Sequence, residues 1–586
     1  METAQTGQLT NILGDMKAII CEYPWQIDFI GKQPDALLVS VSPDVSYELS
    51  RRGLTFRECS EFCKHEELWA VYPEFVHNFL LLTRKLDEIL WEVDPRFSDL
   101  HLPVFDRLGY MLKIDHDQAI YYAHLLRELV DLGADTIACA DNGGPAVDQY
   151  GLFEAGKSII PDVVRAFGNA AMALELQVPP PQAKTLPTPK LSFGQPKILA
   201  TRIGTGYIYN AFYELKYLAR SLSRGSSGKT RTVLSVGCKE VDALDEARLP
   251  SIRLLRYHPD MEYVRNGDEW PYLSQFISRV QNDREVNRLL SYRGTNLTGL
   301  VSVCIGFLAD KLELVLKKRA EIYAFLDRKP VEFVVFQTMA PLYLPNVVVQ
   351  EWCRERKIPF ACWMHGGYGA YQSLQGYDVT DYRLSPRHLV YGRILANLPG
   401  DPEWILHKLN YANHLEQIHA AGSPFFEKLY SKYSKPENQK KRILFCIGNY
   451  YTHNQFYFGH NRANSELSIW KSHKKILEVL VKFQDTYDIC VKDYPDSTLA
   501  EMWLSILRDM GADKIRYVTI ERPFHELLVE ADLHIFTWVS TTFFQSVYTD
   551  ADICLFDDTD ITRESRDIFE RHLILSPDLE AFCARV

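Results

Sequence analysis

From residue 442 to the end of the chain, short apolar runs and helix-period segments alternate without a break. The apolar runs lie at 443–447, 487–491, 515–519, 533–536, 553–556 and 573–575. Helical spacing fills the gaps at 467–483, 497–510, 523–530, 540–548 and 562–571, and a last helix closes the chain. Four or five consecutive apolar residues make a strand buried on both faces, and a helix between two such strands makes them parallel. This stretch therefore predicts a Rossmann-like domain over 442–586, and it constrains the rest of the chain more than any other feature.

A similar unit precedes it. The run 331–336, a helix over 344–356 and the run 358–364 read as β-α-β, and the second strand ends in His365-Gly366-Gly367-Tyr368-Gly369. A further apolar piece at 388–391 runs into Gly392. Upstream, 197–203 reads as a strand entering Gly204-Thr205-Gly206 and a helix, and 231–236 and 252–257 as further strands. One long amphipathic helix is expected over 301–326. Its apolar stripe reads as core, and its basic residues as a solvated face or one that rests on anionic lipid. In the first 175 residues, strand-like runs at 36–41, 54–59 and 135–139 alternate with helical periods at 45–52, 73–91 and 115–132. The proline-rich stretch 177–196 and the charged stretch 431–441 read as linkers. The expected organisation is thus an N-terminal α/β region (1–176), a proline-rich linker or long loop (177–196), a Rossmann-like lobe (197–430), a linker (431–441) and a second Rossmann-like lobe (442–586).

At 586 residues the chain is too long for one core. Its net charge of −11 argues against nucleic acid as a partner. Twelve cysteines are scattered singly, many inside apolar runs, as in a reduced protein. Cys59 and Cys63 have no second pair to complete a zinc site. Asp557-Asp558-Thr559-Asp560 precedes a helix and reads as capping, so no metal is expected. The polar start and the lack of a long apolar run predict a cytoplasmic protein that reaches any membrane-bound substrate from the surface.

Candidate chemistry falls at strand ends, where open parallel sheets bind ligands. In the last domain these are Gly448-Asn449, Lys492-Asp493 and Ser540-Thr541-Thr542 with Gln545 beyond. Hydroxyls and free N–H groups at a helix start, with a lysine at the same edge, suit a nucleotide phosphate. In the preceding lobe, His365 has the chemistry of a general base toward an acceptor hydroxyl, with Asp378 or Asp381 either orienting it or serving as a cap. Gly366, Gly367 and Tyr368, with Gly204 and Gly206, are the candidate acceptor-side or cleft residues. The Gly225–Lys229 segment (GSSGK) has no strand before it and reads as a solvated loop.

The order of HGG, VYG, AGSPFFEKLY, a linker, ILFCIG, KDYP and a Ser/Thr-rich helix start resembles GT-B glycosyltransferases of bacterial surface polysaccharides, of the capsule and teichoic-acid type, including CDP-glycerol glycerophosphotransferases. The resemblance covers about 331–586. It implies two Rossmann-like lobes with a cleft between them, the N-terminal lobe enlarged by an extra α/β region. It further implies His365 at the cleft, and Lys492, Ser540, Thr541 and Thr542 on the phosphate of a CMP-, CDP- or UDP-type sugar donor. The acceptor it implies is a growing glycan or glycolipid at the inner membrane surface. No cofactor is implied, since the nucleotide-sugar is a substrate. The chain departs from the family pattern at Asp493-Tyr494-Pro495, where the family usually has histidine-proline, and at Gln545, where it usually has an acidic residue. Two other readings stay open: a nucleotide-sugar epimerase or hydrolase on the same fold, and an inactive binding or scaffold protein.

Overall fold

The structure is a computed structural model. It describes residues 16–30, 35–141, 143–147, 153, 157–168, 172–179, 231–244, 251–257, 270–339, 344–364, 381–392, 417–437, 440–447, 466–494, 497, 499–557, 561 and 563–586.

Three parallel sheets carry the fold. The N-terminal sheet comprises β1 (Met16–Cys21), β2 (Leu37–Ser40), β3 (Arg57–Glu58), β4 (Ala134–Ala140) and β5 (Ala173–Gln177), in the order β3-β2-β1-β4-β5. The middle sheet begins with β6 (Arg231–Val236) and β7 (Ile252–Tyr257). A two-strand antiparallel hairpin, β8 (Ser291–Tyr292) and β9 (Thr295–Asn296), stands apart. The middle sheet then adds β10 (Phe333–Phe336), β11 (Phe360–Trp363), β12 (Arg387–Val390) and β13 (Gln417–Ala420), in the order β13-β12-β11-β10-β6-β7. The C-terminal sheet has β14 (Arg442–Cys446), β15 (Asp488–Lys492), β16 (Arg516–Val518), β17 (Leu533–Phe536), β18 (Asp552–Phe556) and β19 (Ile574–Ser576), in the order β16-β15-β14-β17-β18-β19. Every pairing within the three sheets is parallel.

The α/β class and the two Rossmann-like sheets are as expected, and the N-terminal enlargement is a third parallel sheet in its own right. Central strands such as FVVF of β10 and FACW of β11 are apolar throughout because helices cover both faces. The helices His65–Val93 and Val104–Asp131 join the first two sheets through one continuous apolar core. Polar ties fix that junction. The Trp270 indole N–H donates to Asp94 Oδ2 at 2.9 Å, and Arg96 bonds both Asp94 and Glu313.

Two expectations change. The single helix expected over 301–326 is two helices, Thr298–Ala309 and Leu312–Leu326. The break falls at Asp310-Lys311, where the Lys311 ammonium bonds the Asp310 carboxylate at 2.7 Å; aspartate is a poor helix former. Pro73, read as a helix start, lies inside the helix His65–Val93. The expected strand 197–203 with Gly204 and Gly206, and residues 180–196 of the linker expected over 177–196, lie outside the described residues.

No helix among the described residues is long and apolar enough to cross a membrane. All twelve cysteines are free.

Candidate functional site

The C-terminal sheet has the strand order 3-2-1-4-5-6, so its direction of winding reverses between β14 and β17. A ligand crevice opens outside the carboxyl ends of the strands at such a point. Lys492 ends β15 and pairs in register with Cys446, the last residue of β14. Its side chain is almost wholly buried, and its ammonium donates to the carbonyl oxygen of Asp493. Burial lowers its pKa, against smaller opposing effects of Cys446 and Asp493. It forms no ion pair with a carboxylate among the described residues. Asp493 turns elsewhere: its carboxyl accepts from the Tyr494 N–H at 2.6 Å and from the Tyr517 hydroxyl. Burial pushes the Asp493 carboxyl up, although those hydrogen bonds pull against it.

On the other side of the reversal, β17 runs into Thr537. The Thr537 hydroxyl lies 2.6 Å from Nε2 of His473, a buried residue on the helix Glu466–Leu480. Burial lowers the His473 pKa to about 3, so its imidazole is neutral. Ser540 precedes the six-residue helix Thr541–Ser546 in extended conformation, but its side chain makes no capping bond. Its hydroxyl lies 2.5 Å from that of Thr542. Ser540, Thr541 and Thr542 are all half-buried. Gln545 serves a different contact: its Oε1 accepts from the Tyr430 hydroxyl at 2.9 Å, tying this helix to the helix Pro424–Tyr430. Gly448 and Asn449 lie outside the described residues.

The middle sheet reverses between β6 and β10. Two residues that no local sequence pattern singles out stand there. Glu240, on the short helix Lys239–Ala243 after β6, is fully buried. Its carboxyl accepts from the Tyr391 hydroxyl (2.6 Å), the Ser423 hydroxyl (2.9 Å) and the Phe425 N–H (2.9 Å). It therefore joins the VYG and GSPFF segments, whose co-occurrence in the sequence had no evident cause. Gly422, with φ +70°, makes the turn that brings Ser423 into place. Lys239 lies 5.1 Å from the ring centroids of both Phe425 and Phe426, and burial lowers its pKa.

Among the residues expected to be catalytic, only Asp381 is described. It is buried, and its Oδ1 accepts from the Thr338 hydroxyl (2.8 Å) and the Met339 N–H (2.7 Å), holding the segment that leaves β10. His365, Gly366, Gly367, Tyr368 and Asp378 lie outside the described residues. No group of acidic, histidine or cysteine side chains suited to a metal occurs among the described residues.

The middle and C-terminal edges meet. The Tyr391 and Phe544 ring centroids are 6.2 Å apart, and those of Phe426 and Tyr548 5.8 Å.

No protein-family model matches the sequence, and no curated protein matches it. Solved structures show slight likeness. The Staphylococcus aureus MnaA–UDP complex is 10% identical with a TM-score of 0.34, covering 61% of this chain and 87% of its own. The UDP-GlcNAc 2-epimerase of Neisseria meningitidis, bound to UDP-GlcNAc, is 10% identical with a TM-score of 0.33, covering 61% and 90%. A UDP-glucosyltransferase from Polygonum tinctorium is 12% identical with a TM-score of 0.32, covering 62% and 89%. Likeness this slight carries no argument about the chemistry of the chain, which rests on the geometry of its own strand ends.

Proposed function

We propose that the chain is a glycosyltransferase that moves a sugar from a CMP-, CDP- or UDP-type donor to a growing surface glycan or glycolipid. The donor phosphate sits at the carboxyl edge of the C-terminal sheet. Lys492 carries this reading. An ammonium taken out of water costs free energy unless an anion meets it, and the carboxylates that act on Lys492, those of Asp493 and Glu521, form no ion pair with it among the described residues. A donor phosphate would supply that anion, and the Ser540 and Thr542 hydroxyls across the strand reversal would donate to its oxygens.

In this reading the acceptor hydroxyl attacks the anomeric carbon as the bond to the donor phosphate breaks. The electron pair leaves on the phosphate oxygen, where Lys492 stabilises the developing charge without a metal. His365 takes the acceptor proton, with Asp378 or Asp381 orienting it.

Calorimetric titration of the full chain with CMP, CDP and UDP tests the donor site. One nucleotide should bind, and Lys492→Ala and Ser540→Ala should each weaken it at least tenfold. A folded protein that binds none of the three, or binds one equally well in both variants, overturns the reading.

A further inference from the structure

The N-terminal sheet also reverses, between β1 and β4, and the proposed transfer reaction leaves that edge without a task. We propose that the carboxyl edge of this sheet is a binding site for a neutral, hydroxyl-rich ligand, a sugar residue, held by Glu22, Ser158, Gln118 and Tyr122.

Glu22 follows β1 directly and is 2% exposed. Its Oε2 accepts from the Ser158 hydroxyl at 2.6 Å, and it has no ion pair among the described residues. Its backbone is pinned by Gln26, whose Oε1 accepts from the Glu22 N–H at 2.7 Å and whose Nε2 donates to Ile20 O at 3.0 Å and Gln177 Oε1 at 2.8 Å. The edge is therefore braced from β1 across to β5.

The helix Val104–Asp131 leads into β4, so moving toward its N-terminus means moving out past the carboxyl ends of the strands. Asp115, Gln118 and Tyr122 recur on one face at helical spacing. That face looks onto the edge. Asp115 Oδ1 accepts from the N–H of Phe153, beyond the end of β4, at 2.8 Å. The Tyr122 phenol lies close enough to Glu22 to be perturbed by it. Gln118, one turn before Tyr122, is 4% exposed, and its Oε1 has no hydrogen-bond partner among the described residues. A buried amide oxygen without a donor calls for one from outside.

The chemistry selects the ligand class. A carboxyl, a hydroxyl, an amide and a phenol are mixed donors and acceptors, so the set suits hydroxyl groups. Burial raises the Glu22 pKa from 4.5 to about 8, outweighing its hydrogen bonds with Ser158 and Ala140. Near neutrality it can therefore both donate and accept. The edge also faces the C-terminal unit. Lys471 Nζ lies 2.5 Å from Glu58 Oε2 at the end of β3, and Glu466, which opens the same helix, perturbs Tyr122. That this sugar is the acceptor rests on the transferase reading; that the edge binds a polyol does not.

Saturation-transfer NMR on the full chain with glucose, N-acetylglucosamine and glycerol tests the site at pH 6.5 and 9.5. The groups facing Glu22 are Cys21, with its pKa pushed to about 12, and Cys139 and Tyr122, both pushed up by burial, with Asp141 and Arg165 acting on Cys139. Asp44, joined to Glu22 through Ser42 at the end of β2, is likewise pushed up by burial, so the Glu22→Gln variant assigns the pH dependence to Glu22. At least one probe should receive saturation at pH 6.5 and lose most of it, at least threefold, at pH 9.5. Glu22→Gln should retain transfer at both pH values, Glu22→Ala should lose it, and Lys492→Ala should leave it unchanged. Absence of transfer to all three probes, or equal transfer in Glu22→Ala, overturns the proposal. Nucleotide titration of Glu22→Ala keeps the two sites apart, since its nucleotide binding should match that of the unsubstituted chain.

Discussion

Glu22→Gln is the substitution whose effect on stability can be worked most directly from the structure. The carboxyl titrates at about 8 in the fold, against 4.5 when exposed, because burial disfavours its charged form. Between those two values the folded chain holds a proton that the unfolded chain has released. Stability therefore falls as pH rises, by about 1.4 kcal/mol per unit. Across the whole window the loss reaches about 5 kcal/mol, is complete once pH passes the folded pKa, and is absent below 4.5. Glutamine keeps the size of the side chain and a donor and an acceptor but cannot ionise. The stability of the variant relative to the unsubstituted chain should thus climb by about 1.4 kcal/mol per pH unit from pH 5.5 to 7.5 and level off above pH 9. Urea unfolding followed by tryptophan fluorescence at unit pH steps reads the difference, and the many other titrating groups cancel in it. A difference that stays flat with pH would show that Glu22 is ionised and solvated in the fold, and the burial argument would be wrong.

Three other substitutions probe the joints of the molecule. In Gly109→Ala, the new Cβ would lie 2.9 Å from Thr83 Cγ2 and 3.3 Å from Phe79 Cε1. Overpacking should outweigh the gain of about 1 kcal/mol in helix propensity, for a net loss of about 1–2 kcal/mol, and a higher melting temperature would contradict this. Arg383→Ala removes bonds to Asp106 Oδ1 (2.9 Å) and the Asp106 carbonyl (2.7 Å). Burial pushes the Asp106 carboxyl up, but Arg383 and Arg107 together bring it below its ordinary value. Loss of Arg383 should cost about 3 kcal/mol in denaturant unfolding, and less than 1 kcal/mol would mean that water replaces it. Glu240→Ala strands the Tyr391 and Ser423 hydroxyls and the Phe425 N–H. We expect a loss of about 3–5 kcal/mol by the same measurement, with Glu240→Gln recovering part of it; equal stability in the two variants would mean the hydrogen bonds are not what holds this junction.

The parts of the fold that were legible are those buried on both faces. β14, β15, β17 and β18 lie within a sheet covered by helices, so their apolar runs stand out against helical spacing. Two of the edge strands left no such trace, whereas β7, β16 and β19 carry apolar runs that read as strands. β13 (QIHA) and β5 (ALELQ) are mostly exposed, and their residues carry little of the hydrophobic pattern from which a strand is read. β1 is central to its sheet, but its apolar run, Ala18 to Cys21, is short and flanked by Lys17 and Glu22, so it does not stand out as a strand. Glu22 is equally inconspicuous. In the proposed donor site, the places of Lys492 and Ser540 to Thr542 at the sheet edge were legible because Lys492 ends an obvious strand and the hydroxyls follow another. Glu240 was not, since a glutamate at a helix start reads as a solvated residue. What buries it is Tyr391, 151 residues on, and Ser423, 183 residues on, and no local pattern encodes such partners.

The three reversals in winding matter together because the C-terminal unit touches the edges of both other sheets. Its helix Glu466–Leu480 meets the N-terminal edge through the Lys471–Glu58 ion pair, and its helix Thr541–Ser546 meets the middle edge through Gln545 and Phe544. The same two helices carry residues of the proposed donor site: His473 on the first reaches Thr537, and Ser540 opens the second. A ligand that draws Ser540 and Thr537 toward a phosphate therefore pulls on elements already tied to both neighbouring edges. Packed interfaces of this kind respond by shifting between discrete arrangements and not by bending smoothly. Nucleotide and polyol binding should accordingly be coupled. Because coupling free energies are reciprocal, UDP or its congener should change polyol affinity at Glu22 by the same factor that the polyol changes nucleotide affinity at Lys492. Titrating each ligand in the presence of the other measures both factors, and a factor of one in each direction would mean that the two edges are not coupled.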